Sequence, residues 1–546
     1  MRIDTRAEQM QFDYIIIGAG SAGCVIANRL SCSGRYSVLL LEAGGTDNKP
    51  FIKVPLGYGK VFYDPSVNWK YETEPESSLA DRRIYWPRGK VLGGSSSINA
   101  MVYVRGHPAD YEQWNQVAPG WGWDTVEPLF QKMEQWQGDA SAYRGTSGPL
   151  SVHDIASQAH PLCEAFLQSA AALQLPITDD YNGASMEGAC LYQITTRRGV
   201  RASAAAAYLR PAMKRVCLEV VTHAQVLQLC TQDQRVTSVL YRHKGRVCRA
   251  TANVETVLCA GAVNSPQLLQ LSGIGPRAVL EAAGVRQVHE LASVGEHLSD
   301  HLGADLVCKA TVPTLNQVLW PLHGKVMAAL RYVLRRSGPL SLSLNQAGGF
   351  IRSDDKAPLP DLQLYFSPVS YTRAPTGTRP LSNPDRFPGF LLGFNPCKPT
   401  SVGSIHIRSD DPFDPPSIQP NYLSTEHDRN LMLKGMKLVR SFCQTPTLKP
   451  LIAGEMLPGA DCLSDTDLMR YVEQTAWTVF HPCCTCRMGT DPQTSVVDPR
   501  LRVHGFENLR IADASVFASI PTGNTNAPSI MVGERASELI LQSAPR

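Results

Sequence analysis

Apolar residues come in short runs whose spacing changes along the chain. Phe12–Ile17 is one such run and Ser37–Leu41 is another. Each is bounded by glycine or polar residues, and each has the length of a buried strand. Between them Cys24–Leu30 follows a helical period, so Phe12–Gly45 predicts a strand–helix–strand unit. Further on, Asp110–Gly138 is tryptophan-rich and helical, Gly148–Asp154 strand-like, and Pro161–Leu173 helical. Arg201–Leu209 reads as an alanine-rich helical turn. Leu218–Val221 and Val254–Ala260 predict strands, followed by a loop and helix over Gly261–Gly275. Leu362–Phe366 and Gly389–Phe394 predict strands of a different domain, separated by a long surface loop, Arg373–Pro388. Lys325–Arg336 is a basic amphipathic helix, docked on the core or touching a membrane surface. There is no internal repeat.

The turn in the first unit carries chemistry. It reads Gly18-Ala19-Gly20-Ser21-Ala22-Gly23. Gly18 suits the tight turn after the strand. Gly20 leaves bare backbone for a pyrophosphate, and Gly23 lets the helix approach the strand. Unpaired N–H groups at the helix start attract phosphate. Glu42 closes the second strand roughly 20 residues on, placed to accept ribose hydroxyls, with Ala43 next to it. The acid argues against a 2′-phosphate and hence against NADP, but does not separate NAD from FAD.

Composition narrows the class. The chain has 546 residues, enough for more than one domain. A formal net charge of only +3 suggests no nucleic-acid partner. The 15 cysteines are odd in number and scattered, as expected of reduced thiols in the cytoplasm. Met1–Gln11 is polar, without the apolar centre of a signal peptide, and no run is long enough to span a membrane.

Two further stretches combine special backbone with polar side chains. Trp86–Gly106 holds adjacent glycines, three serines and Asn99 between apolar flanks. It suits either a flat ligand or a polar loop leading into a strand. Near the end, Phe480-His481-Pro482-Cys483-Cys484-Thr485-Cys486 precedes Asp513-Ala514 and then Asn524-Thr525-Asn526-Ala527-Pro528. Pro528 suits a first helical turn, so Asn526 sits at a helix N-terminus, where partial positive charge gathers. The three cysteines lack a second metal half-site and read as packed thiols; no metal is expected.

Taken together these segments resemble the glucose–methanol–choline (GMC) family of FAD-dependent oxidoreductases. The likeness is carried by the glycine turn, Pro87–Gly106, Gly261–Leu269, Val294–His301, and the His481 and Asn526 segments. It is nearest to bacterial choline and aliphatic-alcohol dehydrogenases. The resemblance implies an α/β fold, a Rossmann-like FAD-binding domain interrupted by an antiparallel-sheet substrate domain. The expected division gives 12–105, 196–305 and 466–546 to the FAD domain and 106–195 and 306–465 to the substrate domain. It implies cofactor contacts from Arg88, Gly93, Gly94, Ser95, Asn99, Ala100, Met101 and Val102, from Val226 near the adenine, and from Asp513 and Ala514. It implies His481 as the catalytic base and Asn526 as its partner in oxidising an alcohol to the aldehyde, with hydride passing to flavin N5. Electrons would pass to a quinone-like acceptor. An oxidase using oxygen, a choline dehydrogenase or a hydroxynitrile lyase are the alternatives. Ile98 stands where some members attach FAD through a histidine, so non-covalent FAD is expected. Cys484 stands where glycine is usual, and Gln346 where many relatives have an acid, which weakens the case for a cationic substrate. His297, Asp300 and His301 fall in a family structural motif and read as local hydrogen-bonding residues. The expected location is cytoplasmic, with peripheral contact at the inner membrane face.

Overall fold

The computed structural model describes residues 9–371 and 384–544. Most of Met1–Gln11, and most of the loop expected over Arg373–Pro388, lie outside the described residues. In chain order the strands that matter are β1 (Gln9–Ile17), β2 (Val38–Leu41), β3 (Gly188–Leu191), β4 (Leu218–Val221), β5 (Ala224–Gln232), β6 (Arg235–His243) and β7 (Arg246–Leu258). They continue with β8 (Leu302–Ala310), β9 (Ala347–Ile351), β10 (Leu362–Ser367), β11 (Gly389–Pro396), β12 (Ile452–Leu457), β13 (Trp477–Thr478) and β14 (Leu509–Ile511). The helices used below are α1 (Ser21–Leu30), α2 (Gly261–Leu271), α3 (Leu322–Arg335), α4 (Glu426–Gln444) and α5 (Asn526–Ser543).

Two seven-stranded sheets organise the molecule. The first has the order β4-β2-β1-β7-β6-β5, with β14 also paired to β7. Its centre is parallel: Ile15 lies beside Leu39 on one side and Thr256 on the other. Parallel strands are covered on both faces, which explains why Tyr14–Ile17 and Val38–Leu41 are unbroken apolar runs, all buried. Burying each Ile or Leu there contributes roughly 1.5–3 kcal/mol. The β5–β6 hairpin turns at Asp233 and Gln234, both with positive φ. Sequence reading misses it, because its strands are only partly buried.

The second sheet is antiparallel, in the order β12-β8-β11-β10-β9-β3, with β13 added to β8. Helix α4 packs on β11, Gly435 lying against the Phe394 ring. The passage into this sheet precedes the expected boundary at 305/306, because β8 starts at Leu302. The return comes after 466, because Trp477–Thr478 still pairs with β8. A strand cannot be divided between sheets without losing its ladder.

Helices α1 and α5 run against each other on the first sheet, with Gly533 closely opposed to Ala22. Arg29 makes a two-pronged ion pair with the buried Glu534 at 2.6 and 2.9 Å, and the Tyr208 hydroxyl donates to the same carboxylate at 2.9 Å. Glu534 is fully buried and Arg29 only partly so, and removing the arginine would leave a buried carboxylate short of its main partner, which is destabilising. This clamp holds the two helix starts side by side, where the Ser21 hydroxyl donates to Asn526 Oδ1 at 2.9 Å.

Candidate active site

A cavity of about 800 Å³ runs from the end of β1 to the second sheet. At its first end lies the glycine turn. A Cβ on Gly18, whose φ is +101°, would meet the Cys259 carbonyl at 2.5 Å, and one on Gly23 would meet the Gly18 carbonyl at 2.0 Å. Both glycines are required by the protein itself. Gly20 differs: a Cβ there would have only an ordinary 3.7 Å contact. It faces the cavity, so its bare backbone serves whatever enters; Gly94 also lines the cavity, but a Cβ there would meet Gly20 Cα at 2.8 Å, so the protein itself requires that glycine.

Helix α1 starts from Gly20 and α5 from Thr525, and neither start is capped by a side chain. Both open on the cavity. Two long helices therefore bring spare N–H donors and positive partial charge to one space, an arrangement that fits a dinucleotide pyrophosphate and an electron-rich ring. Glu42 accepts from Ala19 N at 2.9 Å and Gly44 N at 2.8 Å. Burial pushes its carboxyl up to about 7. Asp513 is buried at the start of α2, accepting from Gly261 N at 2.8 Å and the Ser265 hydroxyl at 2.6 Å.

Ser21, Ala22, Glu42, Ala43, Arg88, Gly94, Ser95, Asn99, Ala100, Met101, Val102, Val226, Asp513 and Ala514 all line this cavity with Gly18 and Gly20. Ala19, Gly23 and Gly93 do not; they stand behind the wall, Gly93 N donating to the Ala19 carbonyl at 2.7 Å. Asn99 is held by the buried Arg201 at 2.7 Å, a residue sequence reading passes over.

His481 lies at the far end, buried, on the segment after β13. Its backbone N–H donates to Asp300 Oδ1 at 2.7 Å, and the Thr478 hydroxyl donates to Asp300 Oδ2 at 2.5 Å. Tyr422 donates to the same oxygen. Burial pushes the Asp300 carboxyl up to about 6. Arg88 holds the Phe480 carbonyl at 2.7 Å, fixing the residue before His481. Cys484 adopts φ +71°, the left-handed region that favours glycine.

The imidazole is the centre of a directed chain. His301 Nε2 lies 2.9 Å from the Cys397 carbonyl, which has no proton to give, so Nε2–H is the donor. Burial holds His301 down at about 4, so the ring is neutral and its Nδ1 carries a lone pair. His481 Nδ1, 2.9 Å away, therefore donates to it. Burial, with His301 and Arg88 beside it, also holds His481 well below its ordinary value. Its Nε2 is thus left unprotonated, and accepts from Asn524 Nδ2 at 3.0 Å. Gln363 Nε2 in turn donates to Asn524 Oδ1 at 3.1 Å.

The carboxamide on the histidine is therefore that of Asn524, not the expected Asn526. The backbone from Thr525 enters the helix, which turns Asn526 toward Ser21 and the cofactor end of the cavity. Asp300 and His301 hold His481 directly, beyond the local role expected; no cluster suited to a metal occurs among the described residues. Gln346 is not part of the cavity wall and accepts from His160 N at 2.8 Å; a carboxylate that does line the cavity is Asp305, with Tyr365, Trp477 and Phe480.

The chain is similar to known proteins over nearly its whole length. The GMC oxidoreductase description matches residues 12–303 in its N-terminal part and 399–533 in its C-terminal part. An alcohol dehydrogenase [acceptor] of Pseudomonas putida is 40% identical over 97% of this chain and 96% of its own. A mitochondrial choline dehydrogenase of Homo sapiens is 41% identical, over 97% and 90% respectively. Among solved structures, pyridoxine 4-oxidase from Mesorbium loti is similar with a TM-score of 0.87 and 31% identity, covering 98% of this chain and all of its own. With both parts of the family description and relatives over nearly the whole chain in agreement, the chain belongs to the GMC oxidoreductases, FAD-dependent enzymes that oxidise alcohols.

Proposed function

We propose that the chain oxidises a neutral primary or aliphatic alcohol to the aldehyde, with His481 as base and Asn524 as its partner, and hands the electrons to a quinone-like acceptor. The observation that carries this is the hydrogen-bond chain Cys397–His301–His481–Asn524, which leaves the lone pair of His481 Nε2 at the cavity wall. When bound, FAD supplies a two-electron acceptor for hydride. Gly20, Gly94 and the first turns of α1 and α5 would hold it, with Glu42 at the ribose and Asp513 at the phosphate–ribityl side. Ile98 offers no nucleophile, so the cofactor is non-covalent and is released by acid precipitation.

A substrate hydroxyl placed between His481 Nε2 and Asn524 Nδ2 replaces their mutual hydrogen bond. Its proton passes to Nε2, and Asn524 donates to the developing alkoxide. His301 continues to accept from Nδ1–H of the imidazolium, so the ring keeps its orientation as it charges. Aromatic walls exclude water and favour an apolar tail.

Steady-state reduction of an artificial dye, over a panel of alcohols that includes choline, tests the proposal. Fast peroxide formation in an oxygen electrode without dye would replace the dehydrogenase reading by an oxidase. A yellow spectrum that alcohol fails to bleach without oxygen would replace it by a lyase. Asp305 favours a second reading, a cationic alcohol such as choline held against carboxylate and aromatic rings. Under that reading Asp305→Asn raises KM for choline and leaves KM for neutral alcohols alone.

A further inference from the structure

Helix α3 touches the rest of the molecule along one narrow line. Only Gly324, Ala328 and Tyr332 are buried, four residues apart, and the Tyr332 hydroxyl donates to the Gly199 carbonyl at 2.8 Å. Leu322, Val326, Met327, Leu330, Val333 and Leu334 are all exposed, Leu322 and Leu334 to 78%. At roughly 100° per residue these six occupy a sector of about 140° that points directly away from the buried line. No other helix among the described residues carries more than one exposed large apolar side chain.

Charge flanks this sector on both sides. Lys325 lies on one edge and Arg331 on the other, and Arg335 and Arg336 add charge at the helix end. Exposed Arg197 and Arg198 belong to the hairpin that Tyr332 contacts. Between Asp305 and Asp354 the chain has no acidic residue at all. Beneath the helix, Leu315, Leu319, Leu342 and Leu344 share a core with Tyr58 and Phe62, which line the cavity.

A second copy of the chain is a poor occupant for this face. Symmetric packing would bring Lys and Arg of one copy against those of the other, with no carboxylate on the helix to separate them. An anionic bilayer fits both features at once. Acyl chains accept the apolar sector, while lysine and arginine reach sideways to phosphates. We propose that α3 is an in-plane docking helix that seats the protein on an anionic phospholipid surface. This docking is independent of the chemistry assigned to His481.

Sedimentation of the holoenzyme with phosphatidylcholine vesicles, with or without phosphatidylglycerol, tests it. The wild type is expected to bind the anionic vesicles, and less so at high salt. Val326→Asp/Leu330→Asp and Lys325→Glu/Arg331→Glu should each weaken binding by roughly tenfold or more. Both pairs point into solvent, so flavin content and Tm should stay at wild-type values. Wild-type protein that stays in the supernatant at low salt, or variants that bind like wild type, would overturn the proposal. So would a dimer broken by Val326→Asp/Leu330→Asp without vesicle binding.

Discussion

The two ends of the cavity are built in opposite ways. At the nucleotide end, the turn, the helix start and the acid come from one stretch, Phe12–Gly45, whose parts are neighbours in sequence and in space. At the His481 end, the hydrogen-bond chain draws on residues 301, 363, 397, 481 and 524, each from a different segment. The first end is a backbone device, in which glycines and N–H groups do the binding. The second is a side-chain device, whose function depends on which nitrogen carries a proton. Damage to the first should remove the cofactor; damage to the second should leave cofactor bound and turnover impaired.

The largest effect is expected at the histidine. His481→Ala should keep its flavin absorbance and lose about 10²–10⁴-fold in kcat, measured by dye reduction. Gly20→Val should do the reverse, giving a folded protein with little flavin per chain. Gly23→Ala, which puts a methyl within 2.0 Å of a carbonyl, should lower Tm as well. An intermediate effect separates the two asparagines. Asn524→Ala should cost about 10²-fold in kcat with flavin retained, whereas Asn526→Ala should act mainly on flavin affinity. Equal kcat losses in both would erase the distinction drawn here.

The smallest effect belongs to His301. His301→Ala leaves Nδ1 of His481 without its acceptor and should cost about tenfold in kcat, by releasing the ring to the wrong tautomer. His301→Gln can accept from Nδ1–H and donate to Cys397, so it should recover most of that loss. The pH profile follows from the same burial. A lowered histidine pKa keeps the base unprotonated to more acid pH, so the acid limb of kcat/KM should lie below the ordinary value of 6.5. A limb above 6.5 would mean that the ring is not buried neutral as described.

The first sheet and the nucleotide end were legible because period and spacing are local. A parallel strand buried on both faces is an unbroken apolar run, and a phosphate turn is three glycines at set intervals. The separation of Asn526 from His481 has a physical origin. Asn524 and Asn526 are two residues apart beside a helix start, and both are polar residues on the approach to that start. Only the direction in which the backbone enters α5 sends one carboxamide to the histidine and the other to Ser21. The roles of Asp300 and His301 were hidden likewise, because their partner lies far along the chain. Helix α3 was visible as a basic amphipathic period, but whether its apolar side faced the core was not.

Residue order alone set the nucleotide turn, its acid and the family, since the turn and acid lie within a few tens of residues and the family shows in short motifs that are each local in sequence. Three-dimensional packing assigned the partner of His481, the proton on each ring nitrogen and the outward face of α3. Those depend on side chains brought together by two sheets and a shared cavity, and no local period encodes where two distant segments meet.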